Sequence, residues 1–148
     1  CEVEQKVFFA ALDELHQKVP DRAILRAIHF YEENARVIRG VQALKKDKLS
    51  DFFREIILSG ESSWRLLQNL YKPGTDKQSL PLALAVSELL LKEDGAWRVH
   101  GGGFGGTILA FVPNDKRRMY ISQMNRLFGE GAAAELSIRP VGAVCLDI

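Results

Sequence analysis

Apolar residues in the first ninety positions recur every three or four residues, and polar ones fill the gaps, a spacing that predicts helices. Val7, Phe8, Ala11, Leu12 and Leu15 give a short first helix within residues 3–18, which Val19-Pro20 brings to an end. Asp21 offers an N-cap carboxylate to a long second helix, with a stripe of Ile24, Ile28, Tyr31, Ala35 and Ile38 widened by Val37, Val41 and Leu44. Gly40 is its weak point, and residues 46–49 end it. Ser50 caps a third helix whose buried face is Phe52, Phe53, Ile56 and Ile57, and Gly60 is expected to interrupt it. Ser62 or Ser63 then starts another turn or two through Leu66, Leu67 and Leu70. Pro73-Gly74 and Thr75-Asp76 mark a loop over 72–77. Ser79 before Leu80-Pro81 reads as a cap, with Pro in the first turn of a helix that is apolar nearly all round from 82 to 91. That helix is expected among the most buried elements.

At Gly95 the period changes. Residues 96–100 and 107–112 read as two strands joined by a glycine run. Pro113-Asn114 closes the second, and Asn114 caps a helix with Tyr120, Met124, Leu127 and Phe128 inward, until Gly129 stops it. Residues 134–138 and 144–148 read as further strands around Pro140 and Gly142. Helices followed by a β-β-α-β-β segment define an α+β class, an antiparallel β-sheet packed against helices, with residues 1–148 as one domain.

Composition narrows the function. Twenty basic against nineteen acidic residues leave a net charge of +1, too little to hold a nucleic-acid backbone or an acidic membrane surface. An apolar fraction of 47% with 26% charged residues is that of a folding, globular chain of 148 residues. Two cysteines, Cys1 and Cys145, argue against a disulfide framework and a Cys-based zinc site, so a reducing, cytoplasmic setting is expected. No apolar run approaches the roughly 20 residues that span a bilayer, and residues 1–6 lack the pattern of a secretory signal. The chain lacks an initiator Met, as a piece of a longer protein or a processed terminus would.

Residues 101–106 carry five glycines in six positions: Gly101, Gly102, Gly103, Gly105 and Gly106, interrupted by Phe104. Without Cβ atoms, several backbone N–H groups can turn toward one point while a ligand closely approaches the main chain, a geometry suited to phosphate oxygens. Gly101, Gly103 and Gly106 satisfy G-x-G-x-x-G, but a dinucleotide site needs a helix to follow, whereas residues 107–112 read as a strand. A Walker A loop is excluded because no Gly-Lys-Ser or Gly-Lys-Thr follows. The bland alternative is a hairpin turn without a ligand, although a tight hairpin needs only one or two glycines.

Residues 98–112 resemble the third motif of the GHMP kinases, and most closely its galactokinase form, Arg-Met-Thr-Gly-Gly-Gly-Phe-Gly-Gly; Val99 and His100 stand here where Met and Thr are usual. Arg26-Ala27-Ile28-His29 with Glu33-Asn34, Ser59-Gly60-Glu61-Ser62-Ser63 and Leu67-Gln68-Asn69-Leu70-Tyr71 resemble galactokinases in the same order, so the likeness covers roughly residues 20–148. It implies the C-terminal half of a two-domain sugar kinase, with the ferredoxin-like GHMP C-terminal fold and a cleft between the halves for ATP and a sugar such as galactose. By this resemblance Gly101, Gly102, Gly103, Gly105 and Gly106 line the ATP phosphates, Phe104 packs beneath the loop, and Mg²⁺ bridges the phosphates. The family's other phosphate loop, Pro-x-x-x-Gly-Leu-x-Ser-Ser-Ala, does not occur in this sequence, and its catalytic carboxylate and arginine belong to the N-terminal half. No catalytic residue is therefore expected in this chain, which alone should be inactive. The alternatives are a non-catalytic homologue that senses a sugar or nucleotide, and a helix-faced interaction domain that binds no small molecule.

Further residues carry two readings each. Arg98 can reach a phosphate or pair with a carboxylate; His100 can donate to phosphate or fill a strand end, the second being favoured. Ser62 and Ser63 can touch substrate, but N-capping before residues 64–67 explains them. His16, His29 and His100 are too scattered for a metal site, and Glu32 and Glu33 point in different directions on a helix. Met119 and Met124 with Tyr120 and Phe128 read as core.

Overall fold

A computed structural model describes residues 3–104, 106–142 and 144–145. The first expected helix is two, α1 (Gln5–Ala10) and α2 (Leu12–Lys18), because Ala11 leaves helical geometry (φ −99°, ψ 8°) and its N–H bonds to Phe8 O in a tighter turn. The buried Phe8 ring packs on Tyr31 at a centroid distance of 5.1 Å. α3 (Asp21–Lys45) starts at Asp21 itself, with Pro20 in the cap position. Asp21 therefore acts as an acidic residue of the first turn, not as a cap. α3 runs unbroken through Gly40, which lies against the Phe52 ring of α4 (Leu49–Ser62), where a Cβ would stand 3.6 Å from Phe52 Cδ2.

The expected apolar stripe of α3 is displaced. Arg36, Gly40 and Ala43 are its buried residues, whereas Val37, Ile38, Val41 and Leu44 are exposed. Small residues let α4 approach closely and an ion pair takes the remaining inner position, so size and pairing outweighed hydrophobicity. α4 runs through Gly60 instead of stopping there, and neither Ser50 nor Ser62 nor Ser63 caps a helix: Lys48 precedes α4, and Ser62 leads directly into a π turn, Ser63–Leu67. That turn ends at Gln68 in left-handed backbone, φ 53°.

In α5 (Ser79–Leu91) Ser79 is the first helical residue, and Gln78 precedes it. The Gln78 amide braces the preceding loop by donating to Lys72 O (2.8 Å) and accepting from Lys72 N (3.0 Å). α5 buries Leu80, Leu84, Ser87 and Leu91, yet Leu82 and Leu89 are exposed, so its apolar circumference is only partly covered. α6 (Arg117–Phe128) begins beyond Asn114, which does not cap it. Tyr120 and Met124 are buried as expected, while Met119 and Leu127 are about half exposed and are not core.

Between these helices lies an antiparallel hairpin of β1 (Ala96–His100) and β2 (Thr107–Phe111), in register from Ala96 opposite Phe111 to His100 opposite Thr107. Alternation sorts its side chains onto two faces. Trp97, Val99, Ile108 and Ala110 meet two apolar clusters, one of Leu70, Leu80 and Leu84, the other of Leu91, Tyr120 and Met124. Arg98 and Phe111 point the other way, toward α3 and α4, where the Phe111 ring sits 5.7 Å from both Phe52 and Phe53. The class is thus α+β, a two-stranded antiparallel sheet between helices among the described residues.

Residues 134–138 do not form the expected strand. Their alternation is of the right kind, but no described strand lies beside them to satisfy their backbone groups, and Leu136 and Ile138 are 80% and 88% exposed. Val144 and Cys145 are likewise outside any strand, and the rest of the strand expected over 144–148 lies outside the described residues. No helix of the described residues is long and apolar enough to cross a membrane.

Candidate functional site: the glycine loop and its supports

The register leaves six residues, 101–106, to connect β1 and β2, of which Gly105 lies outside the described residues. Gly101 and Gly103 take left-handed backbone, φ 70° and 77°, and so does Phe104, φ 54°. A bulky residue there is unusual and needs holding. The hold is Asn69 O, which accepts the Phe104 N–H at 2.8 Å; Gly106 N–H bonds to Gly103 O at 3.1 Å. Phe104 does not pack beneath the loop: its side chain is 54% exposed, because the left-handed backbone turns it outward.

The glycines are not equivalent. A Cβ on Gly103 would stand 2.1 Å from Asn69 O, so the fold itself requires glycine at this position. At Gly102 an added Cβ meets nothing within 4 Å, and its φ is outside the left-handed region. The exposed Gly101 and Gly102 therefore form an open arm of the loop, and Gly103 with Phe104 an anchored arm.

Arg98 is committed to a carboxylate. Its Nη1 lies 3.1 Å from Glu33 Oε1 and donates to Ser59 Oγ at 2.5 Å, while its Nε donates to Val99 O at 3.1 Å. Glu33 also accepts from Ser59 Oγ and, at 3.0 Å, from Nε of the buried Arg36. Burial pushes the Glu33 carboxyl up, but the hydrogen bonds from Ser59 and Arg36 and the charges of Arg98 and Arg36 together hold it below its ordinary value. Beside this cluster His29 Nδ1 lies 3.0 Å from Ser62 Oγ. Burial lowers the His29 pKa, Glu33 opposes, and Arg36 and Arg98 lower it further.

The expected capping roles of Ser62 and Ser63 thus give way to interior hydrogen bonds: Ser62 serves His29, and Ser63 pairs with the Asn69 side chain, Ser63 Oγ standing 3.2 Å from Oδ1 and 3.1 Å from Nδ2. His100, at the exposed end of β1, flanks the loop. Residue-by-residue reading missed Asn69, Glu33, His29 and Ser59. All four nevertheless lie in the short segments that resemble the family, and the fold gathers those segments around the hairpin. Among the described residues no group of three or more His, Cys, Asp or Glu side chains is placed to hold a metal ion.

No family model matches the chain. Curated proteins do. The chain is 30% identical over 131 residues to a galactokinase of Glaesserella parasuis serovar 5 (strain SH0165), 87% of this chain and 31% of that protein. It is 36% identical over 118 residues to a galacturonokinase of Arabidopsis thaliana, 78% of this chain and 25% of that protein, and 33% identical over 94 residues to a galactokinase of Haemophilus influenzae (strain ATCC 51907 / DSM 11121 / KW20 / Rd), 64% and 23%. These relatives are sugar kinases by name, and the present chain is a domain of the galactokinase family. It spans about a quarter to a third of the length of the relatives it matches.

Proposed function

We propose that residues 1–148 form the C-terminal domain of a cytoplasmic, galactokinase-like, ATP-dependent sugar kinase, and that the open arm of the loop contributes to its ATP phosphate site. The observation that carries the reading is Gly102. Neither backbone conformation nor a neighbouring atom demands glycine there, and a bare main chain beside exposed Gly101 suits the close approach of phosphate oxygens. ATP, when bound, supplies the phosphoryl group for transfer to a sugar hydroxyl. Phosphoryl transfer is largely a matter of positioning and of stabilising charge on oxygen, and the backbone N–H groups of Gly101 and Gly102 serve that end without side-chain entropy.

Arg98, being held by Glu33 and Ser59, supports the hairpin and is not assigned to phosphate. The catalytic carboxylate, the Mg²⁺ ligands and the sugar site are assigned to the N-terminal half of the same kinase, the partner without which this piece is inactive; galactose is the first sugar to test. The test is Gly102→Val in the full-length protein. ATP-dependent turnover is expected to fall at least about tenfold with an unchanged thermal midpoint. Full turnover in a correctly folded variant would overturn the loop assignment. Nucleotide-induced shifts at the Gly101 and Gly102 amides without turnover on any sugar would favour the non-catalytic sensor instead.

A further inference from the structure

The anchored arm of the loop depends on a residue that no phosphate need touch. Asn69 follows a π turn and a left-handed Gln68, an irregular exit from α4 that aims the Asn69 carbonyl at the hairpin loop. π turns are rare, and they recur at functional sites. Asn69 is 3% exposed and Ser63 2%, and the Ser63 hydroxyl faces the amide edge of Asn69 at 3.1–3.2 Å. Buried and hydrogen-bonded, this side chain is held against Ser63, at the residue whose carbonyl faces the loop. The carbonyl meets Gly103, where only glycine fits, and takes the Phe104 N–H.

Building on the reading above, we infer that Asn69, oriented by Ser63, is a positioning residue for phosphoryl transfer: it pins Gly103 and Phe104 in left-handed backbone so that Gly101 and Gly102 project as a preset arm. The bland alternative is that the pair merely closes the end of α4. The two differ in what happens when the pair is broken, since a pinned loop loses its order selectively, and reaction rate depends steeply on small displacements of positioning groups.

The test uses the full-length protein with Ser63→Ala and, should that variant not fold, Asn69→Leu. Amide hydrogen exchange at Phe104 is expected to rise about tenfold, the factor set by one lost hydrogen bond, with exchange in β1 unchanged. kcat is expected to fall about 10- to 100-fold with the KM for sugar unchanged. Unchanged exchange at Phe104 would overturn the clamp. Faster exchange with unchanged kcat would reduce the pair to a helix-end device and overturn the positioning role. If ATP does not shift the Gly101 and Gly102 amides of the wild-type protein, the phosphate reading fails and the positioning role falls with it, while exchange at Phe104 still decides the clamp.

Discussion

The two faces of the hairpin are built on different principles. One carries Trp97, Val99, Ile108 and Ala110 against α5 and α6, where the buried partners are leucines, Met124 and Tyr120, whose hydroxyl is satisfied by Ser87 at 2.7 Å. The other sets Arg98 among Glu33, Arg36, Ser59 and, nearby, His29 with Ser62, and adds the apolar Phe111 against Phe52 and Phe53, with Ala96 and Leu109 on the same face by register. Non-directional burial supplies cohesion but tolerates sliding. Directed hydrogen bonds and charges fix angles, and their cost when broken is high. The apolar face therefore holds the hairpin in place, and the polar face fixes its rotation relative to α3 and to α4, which carries on into the turn that anchors the loop.

The sharpest way to weaken the first face is Leu91→Ala. Leu91 is fully buried, so a loss of about 3 kcal/mol is expected in denaturant unfolding. A loss well under about 1 kcal/mol would show that this face is loosely packed. Glu33→Gln strikes the second face. It strips the charge that Arg36 and Arg98 share, and because Glu33 retains 23% side-chain exposure the cost should be about 1–2 kcal/mol, below that of a fully buried pair. Equal stability of variant and wild type would mean that the cluster is held by packing alone.

The smallest effect distinguishes the faces by pH. His29 has a folded pKa below its ordinary 6.5, so as pH falls from that value the unfolded chain takes up the proton first and stability declines until the lowered folded pKa is passed. Its contribution is therefore present above 6.5 and lost on acidification. Glu33, also lowered, acts in the same direction below its ordinary 4.5. His29→Gln should flatten the stability profile just below pH 6.5, measured as thermal midpoints across that range. An unaltered slope would separate His29 from the cluster.

Much of this comparison was legible from sequence. The hairpin, the glycine connection and the burial of Tyr120 and Met124 followed from period and turn residues, which are local signals. The polar face was not. Glu33 reads only as one of two adjacent carboxylates pointing in different directions on a helix, and Arg36 is not singled out, since nothing local announces that Arg98, 65 residues beyond Glu33, will meet them. Ser62 and Ser63 fitted a capping pattern and were misread because a π turn, invisible to a 3.6-residue period, carried the helix through them. Residues 134–138 show the opposite failure: alternation signals a strand, but a strand exists only with a neighbour.

Gly60 links the two themes. A Cβ there would lie 3.0 Å from Arg98 Cβ and 3.2 Å from Arg98 Cα, tighter than an ordinary contact, so α4 or β1 must give way by a few tenths of an ångström. A larger residue is expected to push α4 and the strand apart, straining the Ser59–Arg98 contact and the path of α4 toward Ser63. In a survey of random variants, substitutions at this position would register as losses of stability and of loop order, although the position lies outside the glycine loop: a point where the spacing between two elements, rather than chemistry, governs the outcome.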